Sequence, residues 1–290
     1  MTNLSADNDK VGDALNAQRF QMLEDIAKEL AGDVVFPTYF DAAFRLRKAL
    51  QDTDQPLARI VGVIALEPLI AARVMKLANS AMYGGGSTVR DLGAAIQRLG
   101  LETVRTTALA IAMGQMLRSK EMAPFAELTR LLWDHTLKSA AAARLLARTQ
   151  TRINPDEAHL AGLVHDLGAF YMLYRAAQYP ELRARPDTVK YLIVQWHESI
   201  GVSLLNALGM PEDIVEATID HDQPRQALNA VRTLPEIVYV ANVLAGAHFE
   251  WLYQDIDPEA GEPGIIRRNF AALLPQIDAD AESMRAALNA

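Results

Sequence analysis

Apolar residues recur every three to four positions along nearly the whole 290-residue chain, and no stretch alternates apolar with polar residues as a half-buried strand would. That periodicity confines the chain to packed helices, so the expected fold class is all-α. Half of the residues are hydrophobic, enough for a substantial core, and the length allows one large domain or two ordinary ones. No run of about eighteen apolar residues occurs, which argues against a membrane span. The first thirty residues mix charged and apolar types without the core of a signal peptide. A cytoplasmic location is the expectation.

The periodic segments divide the chain. A polar start to about Lys10 is followed by an amphipathic helix ending near Gly32. Helices are then expected over Tyr39–Leu50, Leu57–Leu66, Pro68–Ser80 and Asp91–Leu117, with a break at Gly84, Gly85 and Gly86. The stretch "KEMAPF" reads as a junction between two helical subdomains, and "AELTRLLWDHTLKSAAAARLLART" as one long helix beyond it. Asn154, Pro155 and Glu157 form a helix start by cap, first position and third position. That helix carries "AGLVHDLGAFYML", in which His165 and Asp166 interrupt an apolar run. A second His-Asp pair, His221-Asp222, stands in polar surroundings just before Pro224. Pro186–Leu208 is another helix, closed by Gly209 and Pro211. A short one runs to Ile219, another from Pro235 to about Trp251, and the tail is interrupted by Pro and Gly before a last helix.

Four histidines sit on apolar faces of consecutive helices in the second half. His135 follows Leu128, Leu131 and Leu132 at helical spacing. His165 lies between Gly162 and Gly168, which let a neighbouring helix come close. His197 stands four residues after Ile193, and His221 is in line with Ile214 and Thr218, where a helix dipole favours its protonated form. A buried polar group left unpaired costs about 1–3 kcal/mol, so such groups are placed together or against an ion. The four imidazoles therefore form either a metal site or a hydrogen-bonded core. The chain has no cysteine, so a metal must use His, Asp, Glu or Asn; imidazole with carboxylate suits iron, manganese or zinc. Trp133 and Trp196 are expected to pack around this cluster.

"WDHTLKSA", the "HDLG" at His165, and "WHESIGVSLLNALGMPEDIVEATIDHD" resemble the HD superfamily. "LANSAMYG" and "AAIQRLG" in the first half are similar to its HDOD branch, which is related to the HD-GYP cyclic-dinucleotide phosphodiesterases. The likeness spans roughly Val35 to Leu252. It implies an HDOD domain over 35–252 with a boundary near 122/123 ahead of an HD-like bundle, and leaves outside it the polar N-terminal segment and helix over 1–34 and the helical tail over 253–290. By position it also implies a metal-ligand set of His135, His165, Asp166, Asn242, His197 and His221. Two positions depart from the catalytic pattern: Asn242 stands where the distant metal-binding Asp is expected, and Ala169 where HD-GYP enzymes carry a lysine. The resemblance thus implies a regulatory module without catalytic residues, acting on signalling proteins, with a divalent metal or none, and open to self-association.

Two other classes compete. A metal-dependent phosphohydrolase acting on a nucleotide or cyclic dinucleotide would use the retained histidines. Nucleic-acid binding is disfavoured by a net charge of −8, although residues 36–118 carry ten Lys/Arg against six Asp/Glu. Arg73 and Lys76 could mark a recognition helix there, and Arg90, Arg98 and Arg105 an anion pocket, but "LIAARVMKLA" is apolar enough to be a core helix.

Overall fold

The computed structural model of the chain describes residues 12–31, 40–50, 56–84, 87–223, 225–246, 257 and 259–289. Among these residues there are helices and turns and no strand, as the periodicity predicts. The expected helix limits at Tyr39 and Trp251, Gly85 and Gly86, the polar start to Lys10, and the 34/35 and 252/253 boundaries lie outside the described residues. No described helix is long and apolar enough to cross a membrane.

The first half contains α2 (Asp41–Ala49), α3 (Leu57–Ala65), α4 (Pro68–Ala78), α5 (Leu92–Leu99) and α6 (Leu101–Leu117). The single helix expected over Asp91–Leu117 is two. Gly100 separates them at φ +80°, a left-handed conformation that glycine adopts without a steric penalty. Asp91 caps α5 by accepting from the Ala94 amide at 2.8 Å. Asn79 of "LANS" holds the following loop, since its side chain both accepts from and donates to the Val89 backbone, at 2.8 and 2.9 Å. Arg98 donates to the Ala78 and Ser87 carbonyls at 3.1 and 2.8 Å, and Arg105 pairs with Glu102. The Arg98 guanidinium is therefore used within the fold. α4 buries Ile70, Val74 and Leu77 and packs on α5, α6 and the last helix, while Lys76 stays exposed and Arg73 half-buried.

"KEMAPF" forms a 3₁₀ turn, Lys120–Phe125, at the expected junction. Beyond it come α7 (Ala126–Gln150), α8 (Pro155–Val164), α9 (Leu167–Ala176), the short α10 (Pro180–Arg183), α11 (Pro186–Ala207), α12 (Glu212–Ala217) and α13 (Leu234–Ala245). Asn154 caps α8 as expected, accepting from the Asp156 amide at 3.0 Å. A capping box of Thr233 and Glu236 starts α13. α7 is the central rod, packed against α8, α13 and α6. Its small residues Ala140 to Ala143 bring α8 close: a Cβ on Gly162 would stand 2.9 Å from the Ser139 carbonyl oxygen and the Ala143 Cβ. α9 meets α11 still more tightly, since a Cβ on Gly168 would sit 1.8 Å from the His197 carbonyl oxygen. Both glycines thus have the close-approach role that their spacing suggests.

The terminal helices are part of this body. α1 (Asp13–Ala31) buries Leu15, Met22 and Ile26 against α9, α10 and α11, with Glu29 bonded to Tyr171 and to Arg175. After α14 (Gly261–Asn269), α15 (Leu274–Asn289) buries Ile277, Ala281, Met284 and Leu288 and lies across α4, α6 and α7. Lys138 pairs with Asp278 at 2.8 Å, and Arg285 with Asp134 at 3.0 Å.

Candidate metal centre

The helix expected to run through "AGLVHDLGAFYML" is broken where the chemistry sits. α8 stops at Val164 and α9 starts at Leu167, leaving His165 and Asp166 at the joint. Asp166 takes φ −99°, ψ 17°, which turns the chain and aims its carboxylate sideways into the bundle. His135 reaches the same volume from the middle of α7, and His197 from the middle of α11. His221 arrives from the turn after α12, just past Asp220 at φ +57°. All four imidazoles and Asp166 are buried.

Each histidine directs Nε2 inward. His165, His197 and His221 hold Nδ1 against the carbonyls of Gly162, Ile193 and Thr218 at 2.8, 2.8 and 2.7 Å. A nitrogen facing a carbonyl must carry the proton, so in the neutral rings Nε2 keeps its lone pair for the centre, the orientation found in metal-ligating histidines. The Asp166 carboxylate divides between two sides. Oδ2 is 3.4 Å from His165 Nε2 and 3.7 Å from His135 Nε2. Oδ1 is 3.3 Å from His221 Nε2 and 3.6 Å from His197 Nε2.

Asp222 completes the second side. Its Oδ2 lies 3.1 Å from His197 Nε2 and 3.5 Å from His221 Nε2. The polar residues around it in the sequence hide this role; the usable signal is a second His-Asp dipeptide at a helix end in the same half. Asn242, on α13, is placed behind Asp222. Its amide nitrogen donates to Asp222 Oδ1 at 2.8 Å and to the His221 carbonyl at 3.1 Å. Both partners are acceptors, so the nitrogen and not the oxygen must face them. Asn242 therefore orients the carboxylate, and Asp222 brings the negative charge that Asn242 lacks. Ala169 is buried in the core near the start of α9.

The resulting groups are His135, His165 and Asp166 on one side, and Asp166, His197, His221 and Asp222 on the other. Four ligands at about 2.0–2.2 Å from a tetrahedral ion stand about 3.3–3.6 Å apart. The three-residue group has spacings of 3.3, 3.4 and 3.7 Å, and the His–His and His–carboxylate pairs within the second lie between 3.1 and 3.6 Å. Donor type and spacing both fit a divalent ion on each side, with Asp166 shared.

Electrostatics explain how such a cluster stays buried. Burial disfavours charge on Asp166, yet His165, His221 and His197 outweigh it and hold the carboxyl well below the usual range. Burial also opposes charge on His221, but Asp222 and Asp166 overcome it and push the imidazole up to about 10. His197 is raised against the same penalty by Asp222 and Asp166. His165, where burial dominates the help from Asp166, falls to about 4. The two carboxylates are the larger causes of this upward shift, and the Thr218 carbonyl at the end of α12 adds to it through His221 Nδ1 at 2.7 Å. Of the tryptophans expected to pack around the cluster, Trp133 is buried, whereas Trp196 is 43% exposed.

The comparisons with known proteins agree with this architecture. A Shewanella amazonensis protein, provisionally named a metal-dependent phosphohydrolase, superposes with a TM-score of 0.69 at 22% identity, covering 94% of this chain and 99% of its own. An HDOD domain protein of unknown function from Geobacter sulfurreducens superposes with a TM-score of 0.58 at 20% identity, covering 93% and 97%. A Marinobacter aquaeolei protein, provisionally named for signal transduction, gives 0.57 at 19% identity, over 96% and 67%. At these identities the likeness is one of fold. An uncharacterised protein of Treponema pallidum is 24% identical over 208 residues, which are 68% of this chain; the match spans 40% of that protein's length. The HDOD domain model matches residues 36–224, most of the chain and five of the six cluster residues expected from sequence. The chain belongs to the HDOD domain family.

Proposed function

We propose that the protein is a regulatory module of bacterial signalling that works through protein contacts, and that its His/Asp cluster is a buried divalent-metal centre that fixes the second half rather than turning over a substrate. The observation that carries this reading is burial. His135, His165, Asp166, His197 and His221 are each 4% exposed or less, so the packed helices leave a phosphoester no direct approach. The four-residue group is also a closed ligand set, of the kind found in structural sites. Iron, manganese or zinc would be held by His135, His165 and Asp166 and by Asp166, His197, His221 and Asp222, with Asn242 behind Asp222. The signalling name of one structural neighbour is consistent with this role. On this reading residues 35–252 act as one unit jointed near 122/123, located in the cytoplasm and able to self-associate.

One observation favours a second reading, a phosphohydrolase. The group of His135, His165 and Asp166 supplies three ligands and leaves a tetrahedral position open, as catalytic sites do. When bound, a divalent ion supplies the Lewis acidity that activates water toward a phosphoester. The experiment is metal analysis of protein purified without chelator or histidine tag, beside Asp166→Ala, followed by assay with bis(p-nitrophenyl) phosphate and cyclic dinucleotides. Metal that is stoichiometric in the native chain and lost in the variant, without hydrolysis, is expected. Hydrolysis that disappears in Asp166→Ala would establish the enzyme instead, and a metal-free native chain would reduce the cluster to a hydrogen-bonded core.

A further inference from the structure

The side of the cluster built from His135, His165 and Asp166 has three donors, and a fourth group reaches it from the same helix as His135. Ser139 stands one turn further along α7 and is 1% exposed. Its hydroxyl oxygen lies 3.4 Å from His135 Nε2. The threonines of α7 settle their hydroxyls on a carbonyl of the preceding turn: Thr129 on Ala126 at 2.9 Å, Thr136 on Leu132 at 2.8 Å and Thr149 on Leu145 at 2.7 Å. A serine within a helix has the same option, with the carbonyl four residues back. Ser139 turns its Oγ to the imidazole of His135 and so toward the cluster.

The distance decides what this contact is. A good hydroxyl hydrogen bond spans about 2.5–3.0 Å, so 3.4 Å is long for one. Donors that share a tetrahedral ion stand about 3.3–3.6 Å apart. The Ser139 contact falls in that range, beside 3.3 Å between the Nε2 atoms of His135 and His165 and 3.4 Å from His165 Nε2 to Asp166 Oδ2. Packing holds the serine in place. A Cβ on Gly162 would stand 2.9 Å from the Ser139 carbonyl oxygen, so Ser139 lies at the close approach of α7 to α8, the helix that ends at His165.

We infer that Ser139 Oγ is the fourth donor of this side, closing the coordination of an ion held by His135, His165 and Asp166. The inference rests on the reading of the cluster as a divalent-metal centre and sharpens it. A serine hydroxyl is a neutral oxygen donor of the same type as water, which hard divalent ions accept. With Ser139 counted, both sides of the cluster offer four donors, and the position that a phosphohydrolase would need open is taken by the chain itself. Ser139 thus sets this side as a closed centre rather than a hydrolytic one.

The test is titration of Co²⁺ into the metal-free full chain, followed by absorbance. The chain has no cysteine, so in Ser139→Cys a sulfur-to-cobalt charge-transfer band can come only from position 139, where the thiol loses its proton to solvent as it binds. Two ions per native chain are expected. Ser139→Cys should keep both and gain the band, and Thr129→Cys, a buried thiol earlier on α7, should show none. Ser139→Ala should weaken one ion by about tenfold or more, the scale on which groups supporting a metal site tune its affinity. Asp222→Asn should weaken the other, and the double variant both. Without cobalt, native and Ser139→Ala chains should melt together. Two ions bound by Ser139→Cys without the band, or native affinities in Ser139→Ala, would overturn the inference and leave the metal centre standing. A Ser139→Ala chain that melts lower by the same amount with and without cobalt would reduce the hydroxyl to a packing contact. A native chain that takes up no cobalt would sink the metal-centre reading itself, and this inference with it.

Discussion

Between Leu57 and Leu117 the helices bury Ile, Leu, Val, Met and Ala, and the polar residues they cover are threonines. Two of these settle their hydroxyls within their own helix, Thr106 on the Glu102 carbonyl at 2.9 Å and Thr107 on the Thr103 carbonyl at 2.7 Å. Between Ala126 and Ala245 the helices instead bury four imidazoles and Asp166 in one volume, with Asp222 at its edge. None of those groups can be satisfied by its own helix alone, because each inward atom faces an atom from another element. The comparison teaches where fragility lies. The Thr106 and Thr107 hydroxyls are satisfied locally and separably, whereas the polar cluster of the second half is shared, so one change reaches five elements.

The largest expected break is Asp166→Ala. Removing the shared carboxylate takes it from His135 and His165 and leaves His197 and His221 with one carboxylate fewer, and should cost about 3–5 kcal/mol. The counterpart in the first half, Thr107→Val, removes one hydroxyl bond and should cost about 1 kcal/mol. Urea unfolding of the two variants measures both. Equal losses would show that the cluster is no more cooperative than a helix hydroxyl.

Acid sharpens the same contrast through His159, a buried histidine on α8 whose Nδ1 faces the Ala140 carbonyl at 3.2 Å. Burial, with the Arg144 charge adding to it, pushes His159 down to about 4. Unfolded histidine protonates near about 6.5. Between these values the unfolded chain binds more protons, so stability is whole above about 6.5 and falls as the pH drops toward 4. His159→Gln should be spared about 2–4 kcal/mol of that loss at pH 4. Parallel acid titrations of unfolding should therefore diverge below about 6.5; curves that stay parallel would place the acid sensitivity elsewhere.

The glycines give the smaller effects, and of opposite sign. Gly168→Ala forces a Cβ onto the His197 carbonyl and should cost about 1–3 kcal/mol by overpacking, with a shift in the His197 ring resonances by NMR. Gly62 lies on an exposed face of α3, where an added Cβ would meet nothing within 4 Å. Gly62→Ala should stabilise by about 0.5–1 kcal/mol through helix propensity and a less free unfolded chain. A cost in both would mean that α3 is packed more tightly than its exposure indicates.

Much of this arrangement is legible in the chain. The three-to-four-residue spacing places α1, α3, α4, α7 and α11 nearly where they lie, and Asn154-Pro155 marks the start of α8. The inward faces of His135 and His197 follow from the same count, since a long regular helix fixes the direction of every side chain it carries. Gly162 and Gly168 announce close helix contacts. Legibility fails where regularity ends. Gly100 and the His165-Asp166 joint look like helix interior because apolar spacing continues across both, and a φ change at one residue leaves no mark on that spacing. The His221-Asp222 pair is visible in the sequence, but the place of Asp222 in the cluster is not, because its partners, His197 at 3.1 Å and Asn242 at 2.8 Å, are 25 and 20 positions away.

Local patterning alone determined the all-α class, the ends of the better-capped helices and which histidines face inward, since these depend on residues within a turn or two of one another. Tertiary structure alone decided that Asp166 divides its two oxygens between two imidazole pairs, that Asp222 joins them with Asn242 behind it, and that both carboxylates raise the pKa of His221. Those outcomes depend on distances of about 3–4 Å between atoms far apart in the chain, and electrostatic coupling at that range is set by how the helices pack rather than by how their residues are ordered.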